Sequence, residues 1–409
     1  MFTNRIGKMS WLIVAMLVAP AAFADVVTDW NETAWRLTGA MPPPVHGRIV
    51  STMHAAVFDA VNSLEHRYAA YAIDVQAPIG TSADASAASA AHEVLVRMLP
   101  QRQVELDAAL AASLAKIPEG DGKTAGQALG KDVAERMVAL RSSDGMGGKA
   151  SYSFGSGPGV YQATPPMNQA PVLPQFRMVR PFLLKDVKQI ELPGPPPLTS
   201  SIYARDLNEI KAVGGRISRK RSGEQTAVAI FWAASEFLPW NAVARAAAQA
   251  HPGPLADNAR LFALLNMAME DALIVAFESK YRFNAWRPIT AIRNATSTNN
   301  LAVSADPSWE PLLVTPPHQE YPCAHCMTSG AAETVLRAFY GNDKVDASVV
   351  LPDLGVLQHY RSFSEITREV ENARVWGGIH YRTSAEHGTA AGRKIGEYAL
   401  KSRLQLVSK

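Results

Sequence analysis

Only two of the 409 residues are cysteines, Cys323 and Cys326, which excludes a scaffold built on disulfides. Charge is scarce too. Charged residues make up 19% of the chain, and 40 Lys+Arg against 37 Asp+Glu leave a formal +3, so there is no broad basic footprint for nucleic acid. Hydrophobic residues at 47% and aromatics at 8% are the mix of a globular protein and exclude collagen-like, coiled-coil and wholly disordered chains. There is no repeat of fixed period and no low-complexity tail. Strand-like alternation beside hairpin signals is scarce, and beyond the first twenty residues no apolar run is long enough to span a bilayer.

The N-terminus reads as a leader. Arg5 and Lys8 precede an apolar run from Trp11 to Val18, and Ala22-Phe23-Ala24 supplies a small-x-small cleavage pattern. The run is shorter than the ~20 residues of a membrane anchor and is interrupted by Pro20. Residues 1–24 are therefore expected to be a signal peptide cleaved near Ala24, leaving an exported protein, periplasmic or secreted.

What is abundant is helical periodicity. Residues 46–64 place Ile49, Met53, Ala56, Val57, Ala60 and Val61 three and four apart; 81–118 and 122–141 are Ala/Leu/Val-rich; 254–279 repeats the pattern through Leu261, Leu264, Leu265, Ala268, Ala272 and Val275. The stretch 141–200 breaks it: 17 of its 60 residues are Gly or Pro, about twice the chain-wide share of 27 Gly and 27 Pro in 409. It reads as a long irregular excursion, and long irregular segments often cover sites. The expected architecture is all-α, a multi-helix bundle of ten or more helices forming one domain over 25–409.

Chemistry concentrates in 254–405. Five of ten histidines (His318, His325, His359, His380, His387) fall within 318–387. Three segments pair fixed positive charge with histidine. In Lys280-Tyr-Arg-Phe-Asn-Ala-Trp-Arg287-Pro288, seven helical residues turn about 700°, so Lys280 and Arg287 would share a face, with the helix ending at Pro288. Two converging cations suit an oxyanion; a solvated pair on an amphipathic helix is the plainer alternative. In Glu320-Tyr-Pro-Cys323-Ala324-His325-Cys326, a tight loop leads into a helix through Ala331, Leu336 and Phe339. The free N–H groups of residues 323–325 could hold an anion, with His325 placed for proton transfer. Zinc would need four ligands in a cramped segment, and a thioredoxin-like redox pair would need a βαβ context. In Ala373-Arg374-Val-Trp-Gly377-Gly378-Ile-His380, the Gly-Gly break lets Arg374 and His380 turn to one point, although His380 could equally be a core histidine beside Trp376 and Ile379.

In this order, the three segments resemble the signature of the vanadium-dependent haloperoxidases and PAP2-type acid phosphatases: K-x6-R-P, then P-S-G-H, then S-R-x5-H. Trp30 to Asp59, Phe231–Arg245, Leu264–Arg293 and Gly194-Pro-Pro-Pro-Leu198 look like exported bacterial members of the same group. The resemblance implies a vanadate cofactor site that phosphate can also occupy. Lys280, Arg287, Arg374 and the backbone N–H of Ala324 would bind the oxyanion. His380 would coordinate vanadate axially or attack phosphorus, and His325 would be the acid–base group. Hydrogen peroxide, halide and small organic acceptors, or else phosphate esters, would be the partners.

Cys323-Ala324 replaces the family's Ser-Gly, so a hydroxyl contact to the anion is weakened or lost, and the two cysteines could pair with each other. Ala373 replaces a serine. Ser384 stands where the phosphatases and several haloperoxidases carry an aspartate that orients the histidine, and Glu386 is displaced from that spacing by two. This loss argues for haloperoxidase over phosphatase. His318, seven residues before His325, sits where bromoperoxidases of the family tend to have histidine, which favours bromide. The expected function is an exported vanadate-dependent haloperoxidase. A phosphatase using His380 as nucleophile and a silent oxyanion- or metal-binding protein are the alternatives.

Overall fold

A computed structural model describes residues 25–351 and 356–407; the leader read in residues 1–24 lies outside them. Among the described residues there are thirteen α-helices. The first five are α1 (Val26–Thr38), α2 (Pro43–Asn62), α3 (Ala83–Met98), α4 (Gln103–Leu114) and α5 (Asp121–Arg141). After the excursion come α6 (Ser201–Val213), α7 (Gly223–Phe231), α8 (Phe237–Ala250), α9 (Leu255–Phe283) and α10 (Pro288–Arg293). The series closes with α11 (Ala324–Tyr340), α12 (Phe363–Trp376) and α13 (Arg382–Ser402). Two departures from the sequence reading stand out. The stretch 81–118 is two α-helices, because Pro100 has no N–H to continue the ladder past Leu99. An antiparallel hairpin, β1 (Lys344–Leu351) with β2 (Val356–Ser362), interrupts the helices.

Helix α9 is the axis. Its 29 residues are apolar or small on nearly every face, and a helix of that kind must be surrounded: Leu261, Phe262, Leu265, Met269, Ile274 and Ala276 are all fully buried. It packs against α2 on one side and α11 on the other, and α11 packs in turn against α13. At the last crossing Gly392 allows backbone contact, since a Cβ there would overlap the carbonyl oxygen of Met327. No helix among the described residues is long and apolar enough to cross a membrane.

Between α5 and α6 there is no α-helix, only two 3-10 turns, so the excursion must find its hydrogen bonds elsewhere. Asp271 on α9 supplies them, accepting the backbone N–H groups of Phe182 (2.5 Å), Leu183 (2.8 Å) and Leu184 (2.8 Å). Arg141 donates to the carbonyls of Arg180 (2.8 Å) and Pro181 (3.2 Å) and lies over the Phe182 ring at 3.7 Å. Asp271 of α9 and Arg141 of α5 thereby hold the irregular chain in place.

Beside Asp271 is Glu270, 0% exposed, with neither carboxyl oxygen hydrogen-bonded among the described residues. Burial, then the neighbouring Asp271, raises its pKa well above the ordinary carboxyl value of 4.5. Because the folded pKa is the higher one, this group's contribution to stability is complete below about pH 4.5 and is lost as pH rises toward the folded pKa. Glu270→Gln, which cannot ionise, is expected to gain melting temperature relative to the parent at pH 8 compared with pH 5. An equal Tm difference at both pH values would show that Glu270 does not titrate against folding.

Candidate active site

The three segments meet at the inner ends of α9, α11 and α12. Lys280 and Arg287 do so differently from the helical-face expectation. Helix α9 stops at Phe283, Asn284 turns left-handed (φ 50°), and Arg287 lies on extended chain (φ −79°, ψ 155°) immediately before Pro288 opens α10. Residues 284–286 run beside the excursion, with Tyr161 N–H donating to the Asn284 carbonyl at 2.8 Å and Trp286 N–H to the Gly159 carbonyl at 2.9 Å. This brings the Arg287 guanidinium to the histidines, and its charge is fully buried.

Arg287 Nε donates to the His318 carbonyl (2.7 Å), Nη2 to His318 Nδ1 (3.0 Å), and Nη1 to the Ile379 carbonyl (2.8 Å) and His380 Nε2 (3.3 Å). Lys280 Nζ donates to the carbonyls of Gln319 and Glu320 (3.0 Å each) and Pro322 (2.5 Å), holding the loop ahead of α11. Arg374, in the last turn of α12, donates Nη1 to the Trp232 carbonyl, while its buried Nε has no partner among the described residues. Gly378 adopts φ +78°, and the chain folds back so that His380 N–H reaches the Arg374 carbonyl at 3.3 Å.

Cys323 is the N-cap of α11 and forms a disulfide with Cys326. Its own N–H donates to the Ser384 carbonyl (3.3 Å), so of the three amides expected to face an anion, that of residue 323 is already committed. The amides of Ala324 and His325 make no hydrogen bond among the described residues and lie at the helix N-terminus. His325 Nε2 is 3.0 Å from the Ala234 carbonyl and 3.2 Å from Glu236 Oε2. Glu236 is buried, and its other oxygen accepts the Thr328 hydroxyl at 2.7 Å.

A cavity of about 700 Å³ opens onto this cluster, with His318, Ala324, His325, Arg374 and His380 at its base. Its walls are apolar: Met41 and Pro42–Pro44 from the start of α2, Val172 and Leu173 from the excursion, and Phe277. His318 is thus a cavity residue, its ring tilted at 43° to that of Phe277 with centroids 5.5 Å apart. Of the five clustered histidines three converge. His359 sits on β2, 3.5 Å from Asp346, and His387 on α13 is bonded to the Tyr321 hydroxyl at 2.8 Å.

Burial, reinforced by the neighbouring cations, holds His318, His325 and His380 well below the ordinary histidine pKa, so all three rings are neutral at pH 7. The same burial lowers Arg287 and Arg374 to about 10 and pulls Lys280 well below 10.5, partly against Glu320. The orphaned Arg374 Nε–H and two free helix N-terminal amides are donors left open to a tetrahedral oxyanion, and Lys280 and Arg287, whose N–H groups are already committed, add their charge beside them. An anion would relieve the desolvation that now depresses the cations.

Two carboxylates escaped the sequence reading. One is Glu236 behind His325. The other is Glu320, whose Oε1 lies 2.9 Å from His380 Nδ1. Ser384 supplies no carboxylate and Glu386 is exposed, so the histidine's partner comes from the loop sixty residues earlier. Ser384 therefore does not count against a phosphatase, because a carboxylate from elsewhere in the chain holds His380.

Residues 260–409 match the family model of the VCPO second helical-bundle domain. The chain is 26% identical, over a 387-residue alignment, to the vanadium chloroperoxidase of Curvularia inaequalis; the match covers 74% of this chain and 62% of that relative. Among solved structures, the first bacterial vanadium-dependent iodoperoxidase superposes with a TM-score of 0.80 at 25% identity, covering 94% of this chain and 96% of the other. Family model, curated relative and solved structure all point to the vanadium haloperoxidases as what this chain resembles. An apo-type bacterial vanadium-dependent chloroperoxidase shares the fold at a TM-score of 0.72 and 19% identity, covering 90% of this chain and 96% of that one. The Gly-Pro-rich excursion and the helices on either side of it lie within that shared fold, since the superpositions span nearly the whole chain.

Proposed function

We propose that the protein is an exported, vanadate-dependent haloperoxidase that oxidises halide with hydrogen peroxide. Halide, peroxide and a proton give hypohalous acid and water; the halide is oxidised and the peroxide O–O bond reduced. The observation that carries the reading is the convergence of Arg374, His325, His380 and Ala324 on one cavity floor, with the fully buried Arg287 behind it, 3.3 Å from His380 Nε2, and Lys280 bonded to the loop ahead of α11. Bound vanadate would supply the Lewis-acid centre at which peroxide is activated. His380 would hold it through Nε2, because Nδ1 is turned to Glu320. Arg287, Arg374, Lys280 and the Ala324 amide neutralise the oxyanion in a site where such interactions are stronger than in water. His325, neutral and beside the cavity, donates Nε2–H to the Ala234 carbonyl next to Glu236, which leaves Nδ1 as the ring nitrogen that accepts or returns a proton. The apolar wall admits an organic acceptor for the oxidised halogen, and His318 at the floor favours bromide.

The test is bromination by the purified protein with peroxide and bromide, with and without added orthovanadate. Vanadate-dependent bromination that falls at least a hundredfold in His380→Ala is expected, because His380 is the only protein atom proposed to ligate vanadium. A vanadate-loaded protein that does not brominate overturns the reading. The Glu320–His380 pair also suits a phosphohistidine mechanism, so phosphate-ester hydrolysis inhibited by vanadate, without bromination, would move the protein to the phosphatase branch. Tight vanadate binding with neither turnover would leave an oxyanion-binding protein.

A further inference from the structure

Glu320 touches all three signature segments. Its N–H donates to the Ala285 carbonyl (3.0 Å), its own carbonyl accepts Lys280 Nζ (3.0 Å), and its Oε1 accepts from His380 Nδ1 (2.9 Å) and the Tyr381 N–H (3.1 Å). The carboxylate is 1% exposed and the imidazole 2%. On the ring's far side is Arg287, which can only donate. The Nη1 contact at 3.3 Å therefore makes Nε2 the acceptor, and the proton must sit on Nδ1, facing Glu320. Two independent contacts select the same tautomer, with the Nε2 lone pair held toward the cation cluster.

A second cavity, of about 330 Å³, lies on the other side of Glu320 from the catalytic one and is walled by Tyr203, Trp286, Tyr381 and the prolines 195–197. Ser384 and Glu320 both line it, side by side. A side chain longer than serine at 384 would thus have room to approach His380 from the place Glu320 occupies.

We propose that Glu320 is the positioning residue of His380, fixing its tautomer and ring orientation in place of the carboxylate that position 384 lacks. The proposal rests on His380 being the oxyanion-facing histidine of the proposed function. It predicts that the carboxylate can be moved within the chain: what matters is a negative acceptor at Nδ1, not the segment that brings it.

The experiment compares Glu320→Ala, Glu320→Gln and the double variant Glu320→Ala/Ser384→Asp with the parent. Two quantities are read: orthovanadate affinity by equilibrium dialysis, and the ¹⁵N shifts of His380 in ligand-free protein. Glu320→Ala is expected to weaken vanadate binding roughly 10–100-fold, the usual effect of losing such a partner, and to shift His380 to a mixture of tautomers. Glu320→Gln, whose side-chain carbonyl still accepts from Nδ1, should fall in between. Ser384→Asp added to Glu320→Ala should recover most of the affinity and the single tautomer. A rescue of this kind distinguishes positioning from mere loss of packing, and Glu320→Gln serves if the alanine variant does not fold. An unchanged His380 tautomer in Glu320→Ala overturns the proposal, as does a folded double variant that remains as weak as the single one or, where only Glu320→Gln folds, vanadate affinity at the parent's level in that variant. Should the parent bind no vanadate, the oxyanion reading fails, while the tautomer measurement still decides the role of Glu320.

Discussion

Arg287→Lys, a substitution that keeps the charge, is expected to abolish tight oxyanion binding and to destabilise the protein by about 2–6 kcal/mol. The guanidinium spans four acceptors on two loops: the carbonyls of His318 and Ile379, and the imidazoles of His318 and His380. A lysine ammonium is a point donor on a flexible stem and cannot serve both loops at once. Two buried carbonyls would lose their partner, each costing about 1–3 kcal/mol, which gives the range above. The loss also separates the loop carrying His318 from the turn carrying His380, so the effect on binding exceeds that of one missing hydrogen bond. Urea denaturation and vanadate dialysis measure the two effects. A variant within twofold of the parent in affinity and unchanged in stability would mean that charge alone, without the fork, suffices at this position.

The helices that position this site were largely legible. The expected segments 46–64, 122–141 and 254–279 correspond to Pro43–Asn62, Asp121–Arg141 and Leu255–Phe283, because long amphipathic or wholly apolar periodicity leaves little choice of structure. The excursion was legible for the opposite reason: a stretch so rich in Gly and Pro cannot sustain a ladder of backbone hydrogen bonds. The break at Pro100 was visible in the residue itself but was outweighed by the apolar pattern on either side. The hairpin was not read, since the alternation from Val345 to Val349 is short and its pairing partner lies beyond a turn.

At the site, the residues of fixed charge and the histidines that spacing singled out come together, while their partners carried no such signal. Lys280 and Arg287 were placed on one helical face by periodicity. They converge instead because the helix ends at Asn284 and an extended strand carries Arg287 inward, so the pairing was right and the geometry behind it was not. Glu320 and Glu236 had no local signal. Their contacts with His380 and His325 cross sixty and eighty-nine residues of chain and exist only after α11 and α12 have docked. A carboxylate that acts on a histidine need only be near it in space, and one-dimensional spacing captures that only when both lie on a single helix, as the family's aspartate does.

Gly378→Ala is expected to be among the most damaging single-methyl changes in this protein, costing at least about 3 kcal/mol and displacing His380 from the cavity floor. Gly378 has φ +78°, which a Cβ opposes by about 1–2 kcal/mol on its own. The added carbon would also overlap the Gly214 carbonyl oxygen and stand 2.9 Å from Pro311 Cβ, where the end of α6, the 311–313 segment and the turn after α12 cross. That crossing is tied by Leu312 N–H to the Gly214 carbonyl (2.9 Å) and Leu313 N–H to the Gly377 carbonyl (3.0 Å), so none of the three backbones can retreat alone. His380 is two residues away, and its ring sits between Arg287 and Glu320 with no slack at either nitrogen. Gly341 provides the control. It is also left-handed (φ +68°), but no atom lies within 4 Å of its absent Cβ, so Gly341→Ala carries the backbone penalty alone and should leave vanadate affinity intact. Urea denaturation of both variants, with vanadate dialysis on the folded fraction, separates the strain of the turn from the crowding at the crossing. If Gly378→Ala is no worse than Gly341→Ala, the close crossing does not constrain the position of His380.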